Sequence, residues 1–273
     1  MGFSVNTNVG AMVALRTMNN VDGELSATSK RIQTGKKVAD AFDDAATYAV
    51  AQGLRANIAG MGVVKDALAG AAGLAKVTNA AHDGLSKLME NMKTTITSLA
   101  DGSITAQQRT TYTNDLTKMQ TQFDELVANA NYNGQNLLKA GGASISYIAD
   151  ESGSSSVNLT YTDVDALKAT FDGALDVSTA ANAQTSLTAL TTLSQGVSTA
   201  QAAISADSRS IEIRKDFMDS KMKASEEGLG SLVDADMAEE SAKLSSLQTR
   251  QQLAAQSLSI ANQAPSVILS LFR

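Results

Sequence analysis

The chain closes on "LSSLQTRQQLAAQSLSIANQAPSVILSLFR", Leu244 to Arg273. Within it Leu247, Gln251, Ala254, Leu258, Ala261, Pro265, Ile268 and Phe272 recur at alternating steps of three and four, the repeat of a coiled-coil seam. The seam reaches Leu271, Phe272 and Arg273, where a soluble chain ordinarily frays into polar residues. A stripe one helix wide cannot bury itself, so this stretch predicts a helix that needs a partner. Pro265 is expected either to kink it or to open a new helix.

The other end of the chain repeats the pattern. Ala11, Ala14, Met18, Val21, Leu25, Thr28 and Ile32 step by three and four, small first and larger later. The two terminal helices are therefore expected to pair, each burying one side against the other and leaving the rest to other copies of the chain. Removal of apolar surface from water, worth about 25 cal/mol per Å², drives both steps.

Between the ends, the stretch from Ala39 to Gly102 has no proline, and its apolar residues keep helical spacing. As one helix it would span roughly 80 to 90 Å at about 1.5 Å per residue. Gly53, Gly60, Gly62, Gly70, Gly73 and Gly84 weaken it, which suggests close approach by another backbone. The alternative is two or three shorter helices broken between Gly60 and Gly73. Thr105 and Gln108 form a capping-box pattern ahead of a helix to about Ala130, with Tyr112, Leu116, Met119, Phe123, Leu126 and Val127 on one side. "NANYNGQN", Asn129 to Asn136, is a turn. The period then changes to two: Ile145, Tyr147 and Ala149, a Gly-Ser turn, then Val157, Leu159 and Tyr161 predict one β-hairpin near 143–162. Short helices and loops follow. A second long helix runs from about Ala183 to Glu227, with a bend or break expected in "EEGLGSLVDADMAEE", and Asp236 with Glu239 starts the last helix. The fold class is mainly α: a long antiparallel helical bundle or coiled-coil rod with one mid-chain hairpin and paired terminal helices.

Composition narrows function. Aromatic residues make up 4% and there is one proline, which suits long helices with thin seams better than an enzyme core. A net charge of -6 argues against a general nucleic-acid binder. Cysteine is absent, so thiol catalysis, disulfides and thiolate metal sites are excluded. No unbroken run of eighteen apolar residues occurs, so no membrane insertion is expected. The first basic residue is Arg16, unlike the start of a cleaved secretory signal.

No catalytic constellation, cofactor or metal site emerges. His82 is the only histidine and is read as a packed or surface helical residue. The Gly-Lys pair of "QTGKK" lacks the spacing of a phosphate loop. Asp43 and Asp44 project about 100° apart on a helix, so they are read as ion-pair partners for Arg31, Lys36, Lys37 or Arg55, within or between chains.

Three stretches carry a resemblance. "KRIQTGKKVADAFDDAATYAVAQGLR", Lys30 to Arg55, holds Arg31-Ile32, Thr34-Gly35 and Asp43-Asp44-Ala45-Ala46. "NYNGQNLL", Asn131 to Leu138, precedes the hairpin, and "DADMAEESAKLSSLQTRQQLAAQSLSIANQAPSVILSLFR", Asp234 to Arg273, ends the chain. Together they resemble bacterial flagellin, in the short form without large outer domains. The resemblance implies a structural subunit, not an enzyme, that self-assembles into the helical flagellar filament, the propeller of swimming motility. The alternative is the hook-filament junction protein.

The resemblance further implies that 1–35 with 236–273 forms an inner coiled-coil domain lining the filament channel, and that 36–235 forms a rod domain. It marks as assembly residues Met18, Val21, Leu25, Arg31, Ile32, Asp43, Asp44, Arg55, Leu247, Gln251, Leu258, Asn262, Ile268, Leu271, Phe272 and Arg273. Implied partners are further copies or related flagellins, the junction and cap proteins, the flagellar type III export apparatus and a secretion chaperone. The implied location is the extracellular filament, reached without a cleaved signal peptide.

Overall fold

The computed structural model describes residues 7–270, with side chains to Gln263. The order is α1 (Val9–Thr34), α2 (Ala45–Leu99), α3 (Ala106–Asn129), β1 (Ile145–Ile148), β2 (Ser156–Leu159), α4 (Val164–Ala174), α5 (Ala180–Val233) and α6 (Met237–Ser270). The chain is mainly helical with one mid-chain hairpin, as the periodicity predicts.

Helix α2 is a single helix of 55 residues, so the alternative of several shorter ones does not hold. It starts at Ala45 and not at Ala39, because three aspartates capture the amides ahead of it. Asp40 Oδ1 accepts from the Phe42 amide at 2.9 Å, and Asp43 Oδ2 accepts from those of Ala39 and Asp40 at 2.9 and 3.2 Å. Asp44 Oδ1 accepts from Ala46 and Thr47 at 3.0 and 3.1 Å, which caps the helix. Its glycines do not receive another backbone in close contact. A Cβ on Gly73 would stand 2.6 Å from the Tyr132 ring, and those on Gly60 and Gly84 would meet the side chains of Glu151 and Leu126. Among the described residues nothing lies within 4 Å of such an atom on Gly53, Gly62 or Gly70. The close approaches are made by side chains from the turn, the hairpin and α3.

The Thr105 capping box forms, with Thr105 N donating to Gln108 Oε1 at 2.8 Å and Gln108 N to Thr105 Oγ1 at 3.2 Å. The turn at 131–136 uses two left-handed residues, Asn133 (φ 51°) and Gly134 (φ 80°). Asn136 ties it to α3, its Nδ2 donating to the Val127 carbonyl at 2.7 Å. Helix α5 continues through Gly228 and Gly230 to Val233, so the expected break falls only at Asp234 to Asp236. Asp236 Oδ1 then accepts from the amides of Ala238 and Glu239, starting α6, which runs through Pro265 without a new helix start.

The chain forms two compact units: Met1–Ala56 with Ala224–Arg273, and Asn57–Lys223. In the second, α2 and α5 lie antiparallel. Lys65 meets Asp219 at 2.7 Å, Asn79 meets Ser205 at 3.3 Å and Asp83 meets Gln201 at 2.6 Å, each step along α2 matched by an equal step back along α5. One apolar cluster joins Leu85, Met92 and Ile96 of α2 to Phe123 of α3, Phe171 of α4 and Leu190 and Val197 of α5. The other joins Met61, Leu68 and Leu74 to Val157 and Leu159 of β2 and Ile204 and Ile211 of α5. Burial of each such side chain is worth about 1.5–3 kcal/mol. The hairpin register pairs Ile145 with Leu159 and Tyr147 with Val157, so the alternating apolar residues share the packed face. By length and composition one window of α2 qualifies as a membrane span, which the lack of an unbroken apolar run had not suggested. In the fold that helix buries Leu68, Ala71, Leu74 and Ala75 against the hairpin and α5.

Candidate functional site

The terminal unit carries the candidate site. Its α1 and α6 run antiparallel: Asn8 Nδ2 donates to the Ala261 carbonyl at 2.6 Å, Gln251 Nε2 to Asp22 Oδ1 at 2.7 Å, and Arg31 Nη1 to Glu240 Oε1 at 3.1 Å. Every position of the α1 seam, Ala11, Ala14, Met18, Val21, Leu25, Thr28 and Ile32, is buried or half-buried, and most residues between them are exposed. On α6 the match is sharper. From Ser241 to Gln263 only Leu244, Leu247, Gln251, Ala254, Leu258 and Ala261 are sheltered, and these are the seam residues. Heptad spacing thus directs one face of each helix toward the other.

The chain connections fix the register. Gly35, in the left-handed region at φ 68°, ends α1, and its carbonyl accepts from Ala235 N at 3.0 Å. Lys37 N donates to the Val233 carbonyl at 2.7 Å, so the exit of α1 and the link from α5 to α6 form one hydrogen-bonded junction. It brings Arg31, in the last turn of α1, to Glu240, in the first turn of α6. Both charges also suit the helix termini they occupy. Glu240 is buried, and its second oxygen, Oε2, has no hydrogen-bond partner among the described residues.

The ion pairs expected for Asp43 and Asp44 form differently. Asp43 and Asp40 share Lys30, whose Nζ lies 3.1 and 2.6 Å away, and Asp44 caps α2 while accepting from the Thr47 hydroxyl at 2.6 Å. Arg55 Nη1 donates to Gln52 Oε1 at 3.3 Å. The turn's aspartates replace the helix that the sequence implied, so the carboxylates point to the turn's own amides and to Lys30. The bond to Asp40, then that to Asp43, raises the pKa of Lys30; Lys30 lowers that of Asp40, and the Ala39 amide followed by Lys30 lowers that of Asp43. Between these aspartates Phe42 stands 99% exposed.

The predicted assembly residues divide into groups. Met18, Val21, Leu25, Ile32, Leu247, Gln251 and Leu258 lie along the seam between α1 and α6. Met18, Leu258 and the exposed Asn262 share a shallow groove beside it. Leu271, Phe272 and Arg273 lie outside the described residues, as does the side chain of Ile268. The seam periodicity does not mark the outward apolar residues. Val9, Met12, Val13 and Leu15 on α1, and Leu253 and Ile260 on α6, are exposed. Val13 and Leu253, 61% and 57% exposed, rim an open groove floored by Gly10, Ala14, Ala254 and Ala261. Their signal was present: apolar side chains at positions off the seam.

Among the described residues no group of three or more His, Asp or Glu is placed to hold a metal. The arrangement is one for packing against other helices. Comparison with known proteins agrees. The family profile described as bacterial flagellin N-terminal helical region matches residues 5–142, and the bacterial flagellin C-terminal helical region matches 187–272. This chain belongs to the bacterial flagellin family. It is 35% identical over 271 residues to flagellin FljK of Caulobacter vibrioides, covering 99% of this chain and 98% of that one. It is 32% identical over 289 residues to a flagellin of Brucella melitensis, covering 99% of each. The crystal structure of Bacillus cereus flagellin matches 55% of this chain and 86% of its own with a TM-score of 0.50 at 21% identity, a likeness of fold. This flagellin, a short form at 273 residues, is thus a structural subunit of the flagellar filament, an extracellular assembly, and nothing in these matches favours a junction protein.

Proposed function

We propose that 1–35 with 236–273 form the inner wall of the filament channel and that 36–235 form the tube around it. The observation that carries this reading is the exposure of Val13, Leu253 and Ile260 on helices whose opposite faces are already paired. Seam residues such as Val21, Leu25, Leu247 and Leu258 hold the pair together, and the off-seam residues meet sister copies. Repetition of such a contact between different faces builds an open helical polymer. Ile268, Leu271, Phe272, Arg273 and Asn262 belong to the contacts with sister copies in this reading, and Arg31, Asp43, Asp44 and Arg55 serve assembly by holding the subunit's own helix ends and turn in place. The subunit has no enzymatic role in this reading. It leaves the cell through the flagellar type III export apparatus without a cleaved signal, aided by a chaperone. It then adds to the filament between the junction and cap proteins. Removal of 255–273 is the test: soluble chain without filaments in electron micrographs is expected, and filaments of normal length refute the reading.

A further inference from the structure

His82 is the only histidine in the chain, and it has no exposed surface. It lies on α2 among buried Thr78, Ala81 and Leu85. Its Nδ1 is 3.0 Å from the Thr78 carbonyl. A carbonyl only accepts, so Nδ1 carries the proton and Nε2 is left with a lone pair. That Nε2 is buried and has no hydrogen-bond partner among the described residues. The ring is therefore satisfied at one nitrogen only: the bond to Thr78 holds in either charge state, but a proton on Nε2 would meet no acceptor.

Few charges surround this turn. Asp83 follows on α2 and is held by Gln201 of α5 at 2.6 Å. Helix α5 otherwise presents the neutral Ser205, bonded to Asn79 at 3.3 Å. Helix α3 sets Leu126 against Gly84, with Glu125 and Lys87 along the same groove. No acceptor from any of these elements reaches Nε2.

We propose that His82 is a proton-operated latch on the unit Asn57–Lys223: transfer of a proton from solvent to the Nε2 lone pair places an unpaired cation in the core and drives the helices around it to open. Burial lowers the pKa of His82, against the bond to Thr78 and the charge of Asp83, which both favour the cation. The sign follows. A folded pKa below the unfolded value means that the unfolded chain binds the proton more tightly, so stability is intact above about 6.5 and is lost as pH falls toward the folded pKa. With one histidine, no other side chain of ordinary pKa titrates between about 5 and 6.5.

The test uses the full-length monomer, so its outcome is independent of whether the chain forms filaments. A single imidazole gives one set of NMR signals. It is expected to titrate below its ordinary range while the fold persists, with the neutral ring protonated at Nδ1. Urea unfolding across the same range is expected to show the folding constant falling by up to about tenfold per pH unit. The His82→Asn variant, whose amide can still donate to Thr78, is expected to lose that slope. An imidazole that titrates at or above about 6.5 in the folded chain overturns the proposal, as does a slope that survives in His82→Asn. Where the variant does not fold, the wild-type titration decides alone.

Discussion

Arg31 Nη1 lies 3.1 Å from Glu240 Oε1, joining the last turn of α1 to the first turn of α6 across 209 positions of sequence. Arg31 is about one-third exposed, but the Glu240 side chain is nearly covered, at 11%. The asymmetry decides which partner matters. Arg31→Ala leaves a covered carboxylate with both oxygens unpaired, at a cost of about 1–3 kcal/mol. Glu240→Gln keeps an acceptor, removes the buried charge and costs less. Urea unfolding of both variants checks the order, and equal losses contradict it.

Two glycines of α2 separate helix propensity from packing. Gly73→Ala puts a methyl group 2.6 Å from the end of the Tyr132 ring, which is 39% exposed and must swing aside, so the contact is expected to offset part of the gain in helix propensity. Gly62→Ala meets nothing within 4 Å and is expected to stabilise by about 0.5–1 kcal/mol through helix propensity. Thermal melts of the two monomeric variants should therefore show a lower midpoint for Gly73→Ala than for Gly62→Ala. Tyr132→Ala should relieve the first, and a melt unchanged by that second substitution speaks against the contact.

The turn at 39–44 predicts an order of carboxyl titrations. Asp40 and Asp43 both have pKa values below the usual carboxylate range, but for different leading reasons: the Lys30 bond for Asp40 and the Ala39 amide for Asp43. Lowered folded pKa values stabilise the turn above about pH 4, and that stabilisation is lost as pH falls through them. Lys30→Met should move Asp40 toward its ordinary value more than Asp43. Side-chain carboxyl NMR titration of the variant reads this directly, and a larger move at Asp43 rules the assignment out.

How far the sequence reveals the fold depends on whether the information is local. Heptad spacing is local, so Val21, Leu25, Leu247 and Leu258 fall on the seam where the repeat puts them. The Thr105 cap and the Asn133-Gly134 turn are local too, and both form. The start of α2 at Ala45 differs from the periodic pattern, which begins at Ala39, because Asp40, Asp43 and Asp44 compete for the amides there. The pairing of Arg31 with Glu240, and of Asp43 with Lys30, depends on register between segments far apart or on turn geometry, which periodicity does not carry. The outward residues Val13 and Leu253 follow no repeat of their own, so spacing alone does not single them out on the faces left to other copies.

The central claim is that the outer apolar faces of α1 and α6 are completed by sister copies. Val13 and Leu253 rim one groove and keep most of their surface exposed, so Val13→Asp with Leu253→Asp should leave the fold intact. Electron microscopy of this double variant, beside the unaltered chain under the same polymerising conditions, is the most direct measurement. The account predicts a helical monomer with unchanged circular dichroism and no filaments, and filaments as long and abundant as those of the unaltered chain would contradict it.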